Sequence, residues 1–206
     1  MNNVIIRTQM FRSHFQPILN EWIDIINRYT NNYTEEDALY WYNERATLST
    51  LAGAIWKTDA NNYVLEEFRI DKESRRDGSW QGRADMFFVC GRKQYIVEAK
   101  QLWISISNRS HISTDKITAA LKIARNEVVA SKSDDEIGLG IVFIVPHIPP
   151  TEQDQKDYLI KKFIDEILKV DFEMLAYTFP ANGNVKSEKG FLHPGVACCI
   201  RRPKKD

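Results

Sequence analysis

The sequence predicts a mixed α/β domain, a β-sheet with helices on both faces and a helical pair at its N-terminal side. Three observations carry that expectation. Apolar residues recur at helical spacing in several segments. Residues 137–147 hold a nearly continuous apolar run, the mark of a strand covered on both faces. Residues 82–101, GRADMFFVCGRKQYIVEAKQ, read as two strands around a tight turn. A chain of 206 residues, 43% hydrophobic and 27% charged, suits one domain over residues 1–206 with a full core.

In chain order, Phe15, Ile18, Leu19, Trp22 and Ile26 predict a helix over 11–29, with Pro17 near the front, where a helix tolerates it. Asn31 and Asn32 break the pattern. Thr34-Glu35-Glu36-Asp37 resembles a capping box and starts a second helix that runs to about Trp56. Residues 63–70 have strand composition, 75–79 a turn, and 82–101 the hairpin. A polar loop over 105–113 leads to a third helix, capped by Thr114, with the stripe Ile117, Ala120, Leu121, Ala124 and Val128. The strand at 137–147 ends in a proline-rich loop. A fourth helix over 155–170 and strands over 172–179 and 196–201 complete the order α-α-β-β-β-α-β-α-β-β.

Charge and motif content narrow the function. Lys+Arg and Asp+Glu balance at 28 each, so a nucleic-acid partner would have to meet a local basic patch. Arg83, Arg109 and Lys116 are candidates for such contacts, although basic residues on polar faces are usually only solvated. Cys90, Cys198 and Cys199 give an odd count with no CxxC pair, which fits a reducing cytoplasm. No signal-peptide core and no membrane-length apolar run is expected to act. Phosphate-loop, dinucleotide-fold, zinc-protease and serine-hydrolase motifs are absent, and His14, His111, His147 and His193 are scattered.

The hairpin carries Asp85, Glu98 and Lys100 within its strands. Glu98 and Lys100 share a face because strand side chains alternate. A two-residue Gly91-Arg92 loop, read as a type II′ turn, pairs Cys90 with Lys93 and, counting back, Asp85 with Glu98. Carboxylates opposed across a strand pair, with Cβ atoms ~4.5–5.5 Å apart, repel unless a cation lies between them. Lys100 serves that purpose in part, and a divalent cation with oxygen ligands serves it more fully. The plain alternative is an exposed hairpin edge with a few charges. An E-x-K tripeptide alone says little, since about one is expected by chance at this composition. In the second helix Trp41, Leu48, Leu51 and Ile55 share a stripe with Glu44. That carboxylate is either salt-bridged in the core or delivered to the hairpin cluster.

A helix with Glu44 (YWYNERATL), a strand, a strand with Asp85 (GRADMFF), and a strand ending Glu98-Ala99-Lys100 (YIVEAK) resemble the PD-(D/E)xK nuclease superfamily. The likeness covers about 35–145 as a core of order αβββαβ; 1–30 and 150–206 lie outside it. Ala84 stands where the motif's name places proline. The resemblance implies a restriction-endonuclease-like fold and metal-dependent cleavage of phosphodiesters, DNA above all. It implies that Asp85, Glu98 and the Ala99 carbonyl hold Mg²⁺, with Mn²⁺ as substitute. Lys100 would orient or deprotonate the attacking water and stabilise the phosphorane, acting as base if its pKa is modestly lowered. Glu44 would reach the metal or position Lys100. Homodimerisation is left open. The competing expectations are a non-catalytic nucleic-acid-binding or scaffold protein that retains the fold, and a structural charge cluster in which Lys100 neutralises both acids.

Overall fold

In the computed structural model, which describes residues 1–33, 37–74, 78–109, 112–131, 133 and 135–203 and only the backbone of 73 and 74, the apolar run becomes β5 (Glu136–His147). It is the middle strand of a seven-stranded mixed sheet. Its alternation explains its composition. Leu139, Ile141, Phe143 and Val145 pack towards α1 (Gln9–Asn32) and α2 (Glu44–Thr58) on one face. Val142 and Ile144 pack on the other face with Ile117 and Leu121 of α3 (Thr114–Ser131) and Phe163 of α4 (Lys156–Ile167). Both faces are therefore apolar, as the run requires.

The remaining strands are β1 (Asn2–Ile6), β2 (Tyr63–Ser74), β3 (Gly78–Cys90), β4 (Lys93–Ser105), β6 (Met174–Thr178), β7 (Val185–Lys186), β8 (Leu192–His193) and β9 (Val196–Arg201). The sheet order is β1-β6-β9-β5-β4-β3-β2, and β7 and β8 form a separate small pair. β4 and β5 run parallel while the other neighbours in the sheet run antiparallel. A parallel pair needs a crossover, which α3 supplies. Gly140 on β5 lets α3 seat closely: a Cβ there would lie 2.8 Å from the Arg125 backbone nitrogen. All three cysteines are unpaired and buried. No helix among the described residues is long and apolar enough to cross a membrane.

Several expectations are corrected. β1, short and at the sheet edge, comes before the first helix and pairs antiparallel with β6. The proposed cap at Thr34–Glu36 lies outside the described residues, and α2 begins only at Glu44. There the Asn43 side chain accepts the Ala46 N–H at 3.0 Å, an ordinary asparagine N-cap. Trp41 is thus not part of that helix, and Glu44 is its first residue, not the centre of its apolar stripe. For α3 it is Ser113, not Thr114, whose hydroxyl accepts the first-turn Lys116 N–H. β2, β3 and β4 each run beyond the expected 63–70 and 82–101. Of the turn expected at 75–79, residues 75–77 lie outside the described residues and Gly78 and Ser79 belong to β3, while β7 and β8 are too short to leave a periodic signal.

Candidate active site

The hairpin keeps the expected register with a different turn. Gly91 (φ +55°) and Arg92 (φ +68°) both have positive φ, which makes a type I′ turn, not type II′. Both turn types have two-residue loops, so the pairing Cys90–Lys93 through Met86–Val97 is unchanged. The ladder then stops. One step beyond, Asp85 falls opposite Glu98 by count, but its Oδ2 accepts the Ala99 N–H at 2.7 Å. On the other side of β3, pairing runs through Glu66–Met86 and Phe68–Ala84 and skips Glu67, whose φ is +52°. Asp85 therefore sits where β3 leaves β4 and where a single pair, Glu67 with Asp85, is missing from an otherwise continuous β2–β3 ladder.

That separation exposes one edge of β4, and carboxylates fill the role of the missing strand. The Gln101 N–H donates to Glu44 as the Ala99 N–H does to Asp85. A strand residue's N–H and C=O face the same edge, so the Ala99 carbonyl opens into the same gap. Glu44 reaches it from the first turn of α2, and Thr47 of that turn donates to Gln101 Oε1 at 2.8 Å. Glu44 comes near Asp85 and Lys100 from the end of α2 rather than from the flank expected.

Glu98 is only 3% exposed. Lys72 Nζ of β2 lies 2.7 Å from its Oε1, and the Ser131 hydroxyl of α3 donates to the same oxygen at 2.5 Å. Burial pushes Glu98 upward in pKa; Lys72 and Ser131 oppose this, and the nearby Asp85 charge adds to it. Lys100 is paired with Glu127 of α3 (Nζ to Oε2, 2.6 Å), with the Asp85 charge close enough to act on it as well. Burial pulls the Lys100 ammonium down, but Glu127, helped by Glu44 and Asp85, reverses this and leaves its pKa raised. The lowered pKa expected of a lysine base is not found. Glu44 is raised by burial, with Lys100 drawing it down and Asp85 pushing it up.

Glu44, Asp85, Glu98 and Lys100 are thus electrostatically coupled, and Lys72, Glu127 and Ser131 join them. Sequence spacing gives no hint of Lys72, which arrives from two strands away. Glu127 left a faint trace, seven residues after Ala120 and three after Ala124, on the border of the α3 stripe. The phosphate-contact candidates are not gathered in. Arg83 is exposed and ion-paired with Glu67 at 3.8 Å. Arg109 is exposed, and Lys116 is exposed at the opposite end of α3 from Glu127, about 16 Å along the axis.

Among the described residues no three His, Cys, Asp or Glu groups stand close enough to hold an ion together. What the gap offers is two carboxylates, Asp85 and Glu98, and the Ala99 carbonyl. This all-oxygen set fits a hard divalent cation that keeps much of its water. No known protein family, characterised protein or solved structure matches this chain.

The raised carboxylates set a pH dependence. Glu44 and Glu98 have folded pKa values above 4.5, so the native state holds their protons more tightly than the unfolded chain does. Their contribution to stability is present at low pH and is lost as pH rises through the folded values. Cation binding at Glu98 would need that carboxylate ionised and so has the opposite sign. Mn²⁺ affinity by titration calorimetry is expected to rise as pH climbs through the raised Glu98 value, and Glu98→Gln to flatten the rise.

Proposed function

We propose that the protein is a metal-dependent phosphodiesterase of the PD-(D/E)xK type, acting on nucleic acid and on DNA first, on a restriction-endonuclease-like fold. The observation that carries this reading is the convergence of Asp85, Glu98, Lys100 and Glu44 on the gap where β3 leaves β4. The order α2-β2-β3-β4-α3-β5 supports the fold assignment.

Asp85, Glu98 and the Ala99 carbonyl would hold Mg²⁺ or Mn²⁺, which supplies Lewis acidity to the phosphoryl oxygen and acidifies bound water. The protein's own groups do the rest. Lys100, kept protonated by Glu127, donates to a phosphoryl oxygen and offsets the charge that builds there. Glu44, a stronger base than an ordinary carboxylate because of its burial, accepts the proton of the attacking water. The water oxygen bonds to phosphorus as the ester P–O bond breaks, and the departing sugar oxygen takes a proton from solvent water. The test is incubation with linear, nicked, circular and branched DNA in Mg²⁺ or Mn²⁺, with EDTA as control. Metal-dependent cleavage of at least one substrate is expected; none cut in either metal rejects the reading.

One observation favours a second reading, a non-catalytic nucleic-acid-binding or scaffold protein. Asp85 and Glu44 accept from sheet-edge amides and Glu98 has a lysine counter-ion, so each of these acids already has a protein partner. Calorimetry separates the two: DNA affinity without Mn²⁺ binding favours the scaffold.

A further inference from the structure

Lys72 reaches Glu98 by an unusual route. β3 lies between β2 and β4, so the Lys72 and Glu98 side chains together span two inter-strand spacings, roughly 10 Å, to meet across β3. Lys72 does so by lying flat over Gly82: a Cβ on Gly82 would stand 2.9 Å from both Lys72 Cδ and Cε. A side chain at 82 would push the Lys72 stem aside from this course. The ammonium then meets an almost fully buried carboxylate at 2.7 Å, while its own side chain keeps 14% exposure. No other strand of the sheet sends a cation to Glu98 among the described residues.

We infer that Lys72 is a positioning residue that occupies Glu98 until a divalent cation displaces it, and so sets the metal affinity of the site. This rests on the nuclease reading. Without metal, Lys72 keeps Glu98 ionised and aimed by supplying the positive charge a buried carboxylate requires. A cation on Glu98 would stand beside that ammonium, and like charges a few ångströms apart repel strongly at a partly buried site. The lysine has an exit, because its stem rests on a glycine and its side chain retains contact with solvent. Ser131 stays behind as the donor that keeps the carboxylate oriented.

The experiment is Mn²⁺ titration calorimetry on the full chain at a pH where Glu98 is ionised, comparing wild type, Lys72→Met, Lys72→Arg and Gly82→Ala. Removing the competing charge is expected to tighten Mn²⁺ binding by at least about tenfold in Lys72→Met. Gly82→Ala, which keeps the charge but pushes its stem aside, should tighten binding by a smaller factor and decides the matter if Lys72→Met does not fold. Lys72→Arg should stay near wild type. If wild type binds and Lys72→Met binds equally or more weakly, or if Lys72→Arg behaves as Lys72→Met, the displacement role is wrong and the nuclease reading stands. Binding by Lys72→Met alone supports the displacement role in its strongest form. If no variant binds Mn²⁺, the nuclease reading falls and this inference falls with it.

Discussion

Asp85→Asn is expected to lose Mn²⁺ binding and to cut DNA about 10³-fold more slowly or worse, while its melting temperature stays near that of wild type. A metal's stabilisation of the transition state is worth several kcal/mol, and about 1.4 kcal/mol is tenfold in rate. The choice of asparagine matters. Its amide oxygen still accepts the Ala99 N–H that Asp85 holds at 2.7 Å, so the edge of β4 remains closed. Only the charge is removed. Asp85→Ala removes both, and should cost about 1–3 kcal/mol of stability from the amide left unpaired. Cleavage by Asp85→Asn at the wild-type rate would sink the metal-dependent mechanism. Equal destabilisation of both variants would mean that Asp85 acts through its charge in the fold.

Lys100→Ala is expected to separate chemistry from stability still more sharply. The Lys100–Glu127 pair is partly open to solvent, its side chains 30% and 42% exposed, and such pairs contribute about 0–1 kcal/mol. The catalytic loss should be about 10²–10³-fold, the cost of deleting one donor aimed at developing charge. Chemical denaturation beside a cleavage assay reads both quantities. A strongly destabilised Lys100→Ala protein with proportionate loss of activity would point to the structural charge cluster. Cleavage that survives the substitution would remove lysine from the mechanism.

The parts of this site that could be read from the sequence are those fixed by local geometry. The hairpin register followed from loop length alone and held from Cys90–Lys93 to Met86–Val97 although the turn type was different, because both types enclose two residues. The expected Asp85–Glu98 pair did not form, since β3 leaves β4 there and Asp85 bonds the Ala99 amide. β5 was legible because burial on both faces leaves no polar side to hide the run. The start of α2 was misplaced because a capping-like cluster at 34–37 outweighed the simpler signal of Asn43, whose side chain holds the first turn. Lys72 was not legible. Its partner is set by the order of strands in the sheet and by the missing side chain at Gly82, neither of which local spacing encodes. Glu127 and Ser131 depend on how α3 crosses β5, so their roles emerge only once Gly140 has brought the two together. The raised pKa of Lys100 likewise needed a carboxylate from another element.

The carboxylates that close the open edge of β4 have a consequence for how this chain changes over generations. Selection for a folded protein alone would retain Asp85 and Glu44, because each satisfies a strand amide whatever the protein does. The same selection would have little hold on Lys100, whose half-open pair is cheap to lose. If the protein cleaves nucleic acid as proposed, a lineage that abandoned cleavage would keep the acids as fossils while the lysine drifted. Lys100, rather than the more conspicuous acids, is therefore the position at which related chains would record whether such chemistry is in use.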